Sequence, residues 1–428
     1  MHSWENEAIP PELFTLKVHP TAEPGEALLS DESILCFALR RWHGVWKNNQ
    51  QLVSILSESN RVLYVGSPVP LREAVRGMMA GEARAPILER MNHNLSIYNE
   101  PRLLARSRVF PELNWVTSRL RMMHVRLLAR RFLGDSPILW VFNPHVAPFL
   151  KGFRSRLLIY HMIDDYRTYF PASAVWMREI TAERERRLLK EADIVFAVSE
   201  MLHQRALARN RNSFLVPNGV AYEVFESAAA SSEVPPDLRC IPRPIIGYVG
   251  VIEPMMDFDL LDELTARHPF WSFVFVGPAE LGIHAEKFDA LLRRRNVYYL
   301  GPKSVSVVPH YIKSCDVCIM PDRERAGSDS LKLYEYLACG RPVVALDNPS
   351  ARRFNGLVEI VLDRKHFAAA ISKCLSEAKG LSELRIEEAR GHSWRRRVEG
   401  MRKLLQKRLS ETGGVERLLF TSATRNIS

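Results

Sequence analysis

Short apolar runs alternate with amphipathic stretches along most of the chain. The runs are Ser33–Leu39 (SILCFAL), Arg61–Pro68 (RVLYVGSP), Asn94–Asn99 (NLSIYN), Pro137–Pro144 (PILWVFNP), Arg156–Ile163 (RLLIYHMI), Ala192–Ser199 (ADIVFAVS) and Ser213–Gly219 (SFLVPNG). Runs of this kind predict parallel strands covered by helices on both faces. The pattern stops at Glu226–Pro244, which is rich in Ala, Ser and Pro and has neither helical nor strand period; this predicts a linker. It then restarts, with strands over Pro244–Ile252, Ser272–Pro278, Val297–Pro302, Asp316–Pro321, Pro342–Leu346 and Glu359–Asp363. A helix is predicted over Asp257–His268, and a helical end over Lys365–Lys379, Leu381–Arg390 and Ser393–Leu409.

Two successive doubly wound α/β domains account for this order. The predicted organisation is a weakly ordered 1–30, a first domain 31–225, a linker 226–243 and a second domain 244–392. A C-terminal helix 393–410 is expected to return to the first domain, followed by a flexible tail 411–428.

Composition narrows the function classes. A hydrophobic content of 46% with 25% charged residues suits a globular protein. No apolar run reaches the ~20 residues of a transmembrane helix, and the start (MHSWENEAIPPELF) lacks the basic and apolar regions of a secretory signal. A cytoplasmic protein is expected. The net charge of +10 admits nucleic acid, anionic membrane or phosphorylated ligands. Cys315 and Cys318 form a single CxxC without a second pair, so buried thiols are expected rather than a zinc site.

The stretch GSDSLKLYEYLACGRPVVAL (Gly327–Leu346) carries candidate chemistry. Leu331, Tyr334, Leu337 and Ala338 repeat at helical spacing, with Ser328 or Asp329 placed to cap the helix. Open α/β sheets bind ligands at the carboxyl ends of strands, where helix N-termini point. The unpaired N–H groups and positive end of such a helix suit a diphosphate. Lys332 adds a full charge in the first turn, and Glu335 can accept hydrogen bonds from a ribose diol. The bland alternative is an i,i+3 salt bridge on a solvated face.

SLKLYEYLACGRPVVAL resembles the donor-site helix of GT-B glycosyltransferases, most closely glycosyltransferase family 4 and its exopolysaccharide-type relatives. GYVGVI resembles the strand and glycine loop that open their donor domain, and ADIVFAVSEML with FLVPNGVAYEVF resembles the end of their acceptor domain. The resemblance spans about Ile159 to Ala345. It implies a GT-B fold, two Rossmann-like domains facing across a cleft. It implies that Glu335 binds the nucleotide ribose and that Ser330, Leu331 and Lys332 cradle the diphosphate, with Asp329 beside them. It also implies that Gly250 lets backbone approach the donor phosphates. Two departures stand out. Gly327 replaces a glutamate that many members carry eight residues before the ribose-binding one, and GVIEPMMD lacks a basic pair. Phosphate neutralisation then falls to Arg323, Arg325 or Lys332. No metal or other cofactor is expected; a nucleotide-diphosphate sugar is the co-substrate.

In the first domain three polar clusters follow predicted strands: Trp42, His43 and Gly44, expected to meet the acceptor; His145; and the pair Asp164–Asp165. One of the two aspartates is expected to serve as general base, with Asp165 preferred and His145 in reserve. The segment Arg102–Gly134 holds eight arginines and one glutamate. A helix from Glu112 puts Leu113, Val116, Leu120, Met123 and Leu127 on a face expected to pack on the sheet. Trp115, Met122 and Leu133 then lie outward, flanked by Arg119, Arg126 and Arg130. Such a helix either lies on an anionic membrane or is a core helix whose arginine stems cover its edges.

A cytoplasmic GT-B glycosyltransferase is expected, and the resemblance implies a saccharide or lipid-linked saccharide at the inner membrane face as acceptor. Its rivals are a nucleotide-sugar 2-epimerase on the same fold and a non-catalytic basic nucleic-acid-binding protein. The basic charge is densest on one helix rather than in a stripe interleaved with aromatics, so no nucleic-acid partner is expected.

Overall fold

The computed structural model describes residues 29–43, 46–81, 85–106, 111–171, 173–230, 233–322, 327–377, 380–413 and 416–420. Contacts divide the chain at Val216/Pro217 and at Arg397/Val398, so the first domain is made by two stretches of chain.

The first domain contains strands β1 (Ser33–Phe37), β2 (Arg61–Val65), β3 (Leu88–Arg90), β4 (Leu95–Tyr98), β5 (Ile138–Val141), β6 (Arg154–Ser155), β7 (Leu158–Met162), β8 (Ile194–Ala197) and β9 (Ser213–Leu215). Its helices are α1 (Asn48–Leu56), α2 (Leu71–Met79), α3 (Pro111–Leu133), α4 (Val175–Glu191) and α5 (Glu200–Leu207). Eight strands pair in the order β3-β4-β2-β1-β5-β7-β8-β9. All of these pairings are parallel except β3 with β4. Side chains alternate across the sheet. Leu35, Phe37, Leu63, Val65, Leu139 and Val141 enter one core layer. Ile34, Cys36, Val62, Tyr64, Ile138 and Trp140 enter the other. Burial on both faces is why the strands read as continuous apolar runs.

The second domain follows with α6 (Tyr222–Ala230), β10 (Ile245–Val249), α7 (Phe258–Arg267), β11 (Ser272–Val276), α8 (Ala285–Leu292), β12 (Val297–Tyr299) and α9 (Val308–Ser314). It continues with β13 (Val317–Met320), α10 (Leu331–Ala338), β14 (Val343–Leu346), α11 (Pro349–Arg352), β15 (Glu359–Val361), α12 (Phe367–Leu375) and α13 (Gly380–Gly391). Its parallel sheet runs β12-β11-β10-β13-β14-β15. The strand order reverses at β1/β5 in the first sheet and at β10/β13 in the second. Ligands of doubly wound sheets bind outside the carboxyl ends at such points.

Helix α14 (Trp394–Glu411) begins in the second domain and continues into the first. Val398, Met401, Leu405 and Leu409, at helical spacing, join the first-domain core layer that holds Leu52 and Leu56.

Two stretches differ from expectation. The predicted linker is helical up to Ala230, because alanines sustain a helix, and beyond it Leu238 and Ile241 are buried in the second-domain core. The tail is not free from 411 onward. A final strand, β16 (Arg417–Leu418), pairs antiparallel with β6, and Leu419 and Phe420 are buried in the first-domain core. Most of the predicted weakly ordered 1–30 lies outside the described residues.

Candidate functional site

In the second domain the chemistry gathers at the β10/β13 reversal. Ser330 is the N-cap of α10; its side chain makes no cap hydrogen bond, and its backbone N–H donates to Ser350 Oγ (3.3 Å). Asp329, expected to cap the helix or meet a ligand, is not the cap, and its carboxylate is engaged by protein partners. It is buried, and its carboxylate accepts from the Asn218 backbone N–H (2.7 Å), the Tyr334 hydroxyl (2.9 Å) and Ser350 Oγ (3.2 Å), with Arg353 at 3.3 Å. A buried carboxylate needs such partners. The consequence for α10 is an N-terminus that Asp329 does not cap and to which Ser330 lends no side-chain cap.

Lys332 in the first turn folds back over the sheet. Its Nζ lies 3.2 Å from Asp322 Oδ2, just after β13, and 5.0 Å from the centre of the Tyr248 ring. Burial alone would lower the ammonium pKa, but Asp322 and Tyr248 outweigh it and hold it above the usual lysine range. The lysine therefore stays charged. Asp322 Oδ1 is buried and meets no donor among the described residues. Such an orphaned oxygen calls for a partner. Sequence reasoning missed Asp322, although its position directly after a buried strand was a usable signal.

Gly250, after β10, has φ of 151°, and a Cβ there would lie 2.5 Å from Lys332 Cδ. Its N–H is spent on the Val276 carbonyl (2.8 Å). This glycine admits the lysine stem; it does not offer an N–H to a phosphate. Gly327 has φ of 88°, backbone in which a side chain is strained, so the missing glutamate is replaced by a turn. Leu331 and Glu335 are half-buried, Glu335 one turn below the helix N-terminus. Arg323 and Arg325 lie outside the described residues. Cys315, Cys318 and Cys339 are buried free thiols.

In the first domain the expected acceptor contacts separate. Trp42 is buried and packs edge-on against Tyr64 and Trp46; it is core, because the chain turns back over β2 there. His43 is exposed, with Nε2 3.0 Å from Glu89 Oε2. Gly44 lies outside the described residues.

The two aspartates after β7 have opposite surroundings. Asp165 is buried, with both oxygens held by guanidinium groups. Arg167 donates at 2.9 and 2.8 Å, and Arg205 at 3.2 and 2.7 Å. Burial alone would raise its pKa, but the hydrogen bonds and charges of the two arginines hold it well below the usual carboxylate range. A carboxylate so held is a poor base, which corrects the preference for Asp165. Asp164 is half-exposed; it accepts from the Tyr169 hydroxyl (2.6 Å) and the Asp165 N–H (2.8 Å).

His145 follows β5, its backbone N–H bonded to Asn143 Oδ1 (3.0 Å). Arg184 Nη1 lies 2.8 Å from its Nδ1. A guanidinium can only donate, so Nδ1 accepts and the ring proton sits on Nε2. Burial, then Arg184 and Arg106, push its pKa down to about 4. At neutral pH His145 is an uncharged donor, not a base.

Helix α3 presents the reverse of the expected faces. Met122, Val125, Ala129 and Leu133 pack in the sheet-facing core. Val116, Leu120, Met123 and Leu127 are 46–64% exposed, and Trp115 is also exposed, with Arg119 stacked 3.9 Å above its ring. Arg126 is tied to the Lys151 carbonyl (3.0 Å) and is not an outward flank; Arg119, Arg130 and Arg131 are exposed. The side chain of Leu113 is outside the described set. Among the described residues no helix is long and apolar enough to cross a membrane.

Residues 243–377 match the family model described as Glycosyl transferases group 1. The chain is 31% identical over 232 residues to the putative teichuronic acid biosynthesis glycosyltransferase TuaH of Bacillus subtilis, covering 51% of this chain and 57% of that one. It is 25% identical over 173 residues to the uncharacterized glycosyltransferase MJ1178 of Methanocaldococcus jannaschii, covering 37% and 47%. The chain thus spans about half the length of the curated relatives it matches. Among solved structures, sucrose-phosphate synthase of Thermosynechococcus elongatus aligns with a TM-score of 0.68 at 16% identity, over 89% of this chain and 100% of that one. HepE of Anabaena, in complex with UDP and glucose, aligns with a TM-score of 0.63 at 13% identity, over 88% and 100%. The fold is the two-domain GT-B fold. Within it, the second domain carries the match to group 1 glycosyltransferases.

Proposed function

We propose that this protein transfers a hexosyl group from a nucleotide-diphosphate sugar, held by the second domain, to a saccharide or lipid-linked saccharide held by the first. One observation carries the reading: the first turn of α10, to which Ser330 lends no side-chain cap, with Lys332 charged beside it and Glu335 one turn below, at the reversal of the second sheet. The N–H groups of that turn and the lysine neutralise the diphosphate. Glu335 accepts the ribose hydroxyls, and Asp322 Oδ1 is a further acceptor for donor hydroxyls. Stabilising the leaving diphosphate and positioning the acceptor supply the rate. Support also comes from HepE, which was solved with UDP and glucose.

Thermal-shift titration with a panel of nucleotide sugars tests this. A bound donor at 100 times its Kd adds ~2.7 kcal/mol of stability. Glu335→Gln is expected to weaken both the donor and the free nucleoside diphosphate by about 1.5–3 kcal/mol, the worth of a charge-assisted hydrogen bond. Unchanged affinity in the folded variant rejects the ribose role.

We infer that the exposed face of α3 docks on an anionic bilayer. An apolar stripe (Val116, Leu120, Met123, Leu127) with Trp115 beside it is bordered by Arg119, Arg130 and Arg131, the pattern of an interfacial helix. Exposed Met78 and Met79 of α2 and Leu103 extend the apolar surface, and α2 and α3 both pack on the turn Arg102–Leu104. Changing Leu120 and Leu127 to Gln is expected to cut binding to phosphatidylglycerol vesicles at least tenfold without altering the melting temperature. Neutralising Arg119, Arg130 and Arg131 costs ~1 kcal/mol per charge at low salt. Wild-type protein that ignores such vesicles at low salt refutes the docking.

A further inference from the structure

The peptide unit that leads into α10 is held at both ends. Its carbonyl, on Asp329, accepts from Asn218 Nδ2 at 2.7 Å. Its N–H, on Ser330, donates to Ser350 Oγ at 3.3 Å. A backbone carbonyl can only accept, so the Asn218 atom that faces it is the amide nitrogen. Asn218 is buried and grips Asp329 a second time, its backbone N–H donating to Oδ2 at 2.7 Å. Ser350 Oγ also donates to Asp329 Oδ1, at 3.2 Å. Both partners come from elsewhere in the chain: Asn218 lies 111 residues before Asp329, and Ser350, on α11, 21 residues after it. Asn218 is itself firmly seated near the start of the second domain. Arg397 Nε donates to its carbonyl at 3.4 Å. Two residues on, the Val220 N–H donates to the His392 carbonyl at 3.1 Å, and the Val220 carbonyl accepts from the Trp394 N–H at 2.9 Å.

We propose that Asn218 is a positioning residue of the donor site: by holding the Asp329–Ser330 peptide it sets the direction in which the first turn of α10 presents its N–H groups to the diphosphate. The proposal rests on the reading of α10 as the diphosphate site. Ser330 is extended, with φ of −77° and ψ of 116°, so the chain turns into the helix at this residue. The plane of the peptide before it then decides where the first turn points. A peptide unit is rigid, and only the φ and ψ on either side of it can rotate. Fixing its carbonyl and its N–H removes that freedom before a ligand arrives, which is preorganisation. Glu335 lies a turn inside the helix, where its carbonyl accepts from the Cys339 N–H at 3.2 Å. Its place is set by the helix itself rather than by the entering peptide. The two halves of a nucleotide therefore respond differently: the diphosphate depends on Asn218, and the nucleoside, met by Glu335, does not.

The test titrates UDP, GDP and ADP into the full chain by calorimetry, takes the diphosphate that binds, and follows its nucleoside by ligand-observed NMR. Asn218→Ala is expected to weaken the diphosphate about five- to tenfold, the worth of one hydrogen bond, and to leave the nucleoside affinity unchanged. Ser350→Ala frees the other end of the same peptide and should give the same pattern; it carries the test alone if Asn218→Ala does not fold. Arg353→Gln is the control. Arg353 touches the Asp329 carboxylate at 3.3 Å and the Tyr334 hydroxyl at 2.6 Å, but not the peptide, so diphosphate affinity should stay at the wild-type value. Equal loss of nucleoside and diphosphate overturns the positioning role, because a merely structural residue would affect both. So does a lower melting temperature with unchanged diphosphate affinity, or the same diphosphate loss in Arg353→Gln; in each of these cases the donor site itself stands. Wild-type protein that binds none of the three diphosphates overturns the donor reading, and the positioning role with it.

Discussion

Replacing Asp164 by Asn is expected to lower kcat by about 10²–10⁴-fold, the usual contribution of a general base, while nucleoside diphosphate binding stays intact. The expectation comes from the contrast with its neighbour. The strand β7 is buried throughout and then delivers two carboxylates in succession. Asp165 turns inward to two arginines. Asp164 turns the other way and remains half-exposed. Its Oδ2 accepts from the Tyr169 hydroxyl and its Oδ1 from the Asp165 N–H. Those bonds orient the group toward solvent at the carboxyl edge of the sheet, where an acceptor hydroxyl would lie. His145 cannot share the task, since its Nδ1 already accepts from Arg184. The measurement is initial-rate kinetics with donor binding followed in parallel. Asp164→Glu should recover part of the rate if proton removal is the role. Wild-type turnover in Asp164→Asn would show that the acceptor proton leaves by another route.

The two-domain architecture was legible because the central strands of each sheet are buried on both faces, and continuous apolar runs report that directly. The donor helix was legible for a related reason: Lys332 and Glu335 interrupt a core-seeking helix just behind its N-terminus. Three things were not legible, and each depends on a partner far away in sequence. Asp329 looked like a cap, but Asn218, 111 residues earlier, draws its side chain inward. Trp42 looked like a ligand contact at a strand end, but Tyr64 supplies an aromatic wall on the core side. Helix α3 carries apolar residues on both sides. The side that carries Met122, Val125, Ala129 and Leu133 is the core side, which apolar spacing alone did not single out. Val116, Leu120, Met123 and Leu127 were left outside, and the proposed docking on a bilayer rests on that exposure.

Asp165→Asn should act on stability rather than on chemistry, with a loss of about 3–5 kcal/mol, the range for breaking a buried ion pair. The residue sits in a cluster of four charges. Arg205 bridges Asp165 and Glu185, and Arg167 covers the solvent side of Asp165. Most of the cost falls on Arg205, whose side chain is 16% exposed; Arg167, at 37%, is better solvated and contributes less. Glu185 cannot take over the full charge, because burial is its largest influence and leaves its pKa raised even with Arg205 beside it. The pH dependence follows from the sign of the Asp165 shift. Its folded pKa lies below its unfolded value, so its contribution is fully present above about pH 4, the unfolded carboxylate range, and is lost as pH falls through the folded value. Wild-type protein should therefore lose stability between pH 5 and pH 2 more steeply than Asp165→Asn. Denaturant melts at both ends of that window check this, read as the transition of the first domain. Removing both partners, in Asp165→Asn with Arg205→Met, should cost less than the sum of the single changes, because no buried guanidinium is left uncompensated. A variant Asp165→Asn that melts like the wild type but has lost turnover would return this carboxylate to the reaction itself.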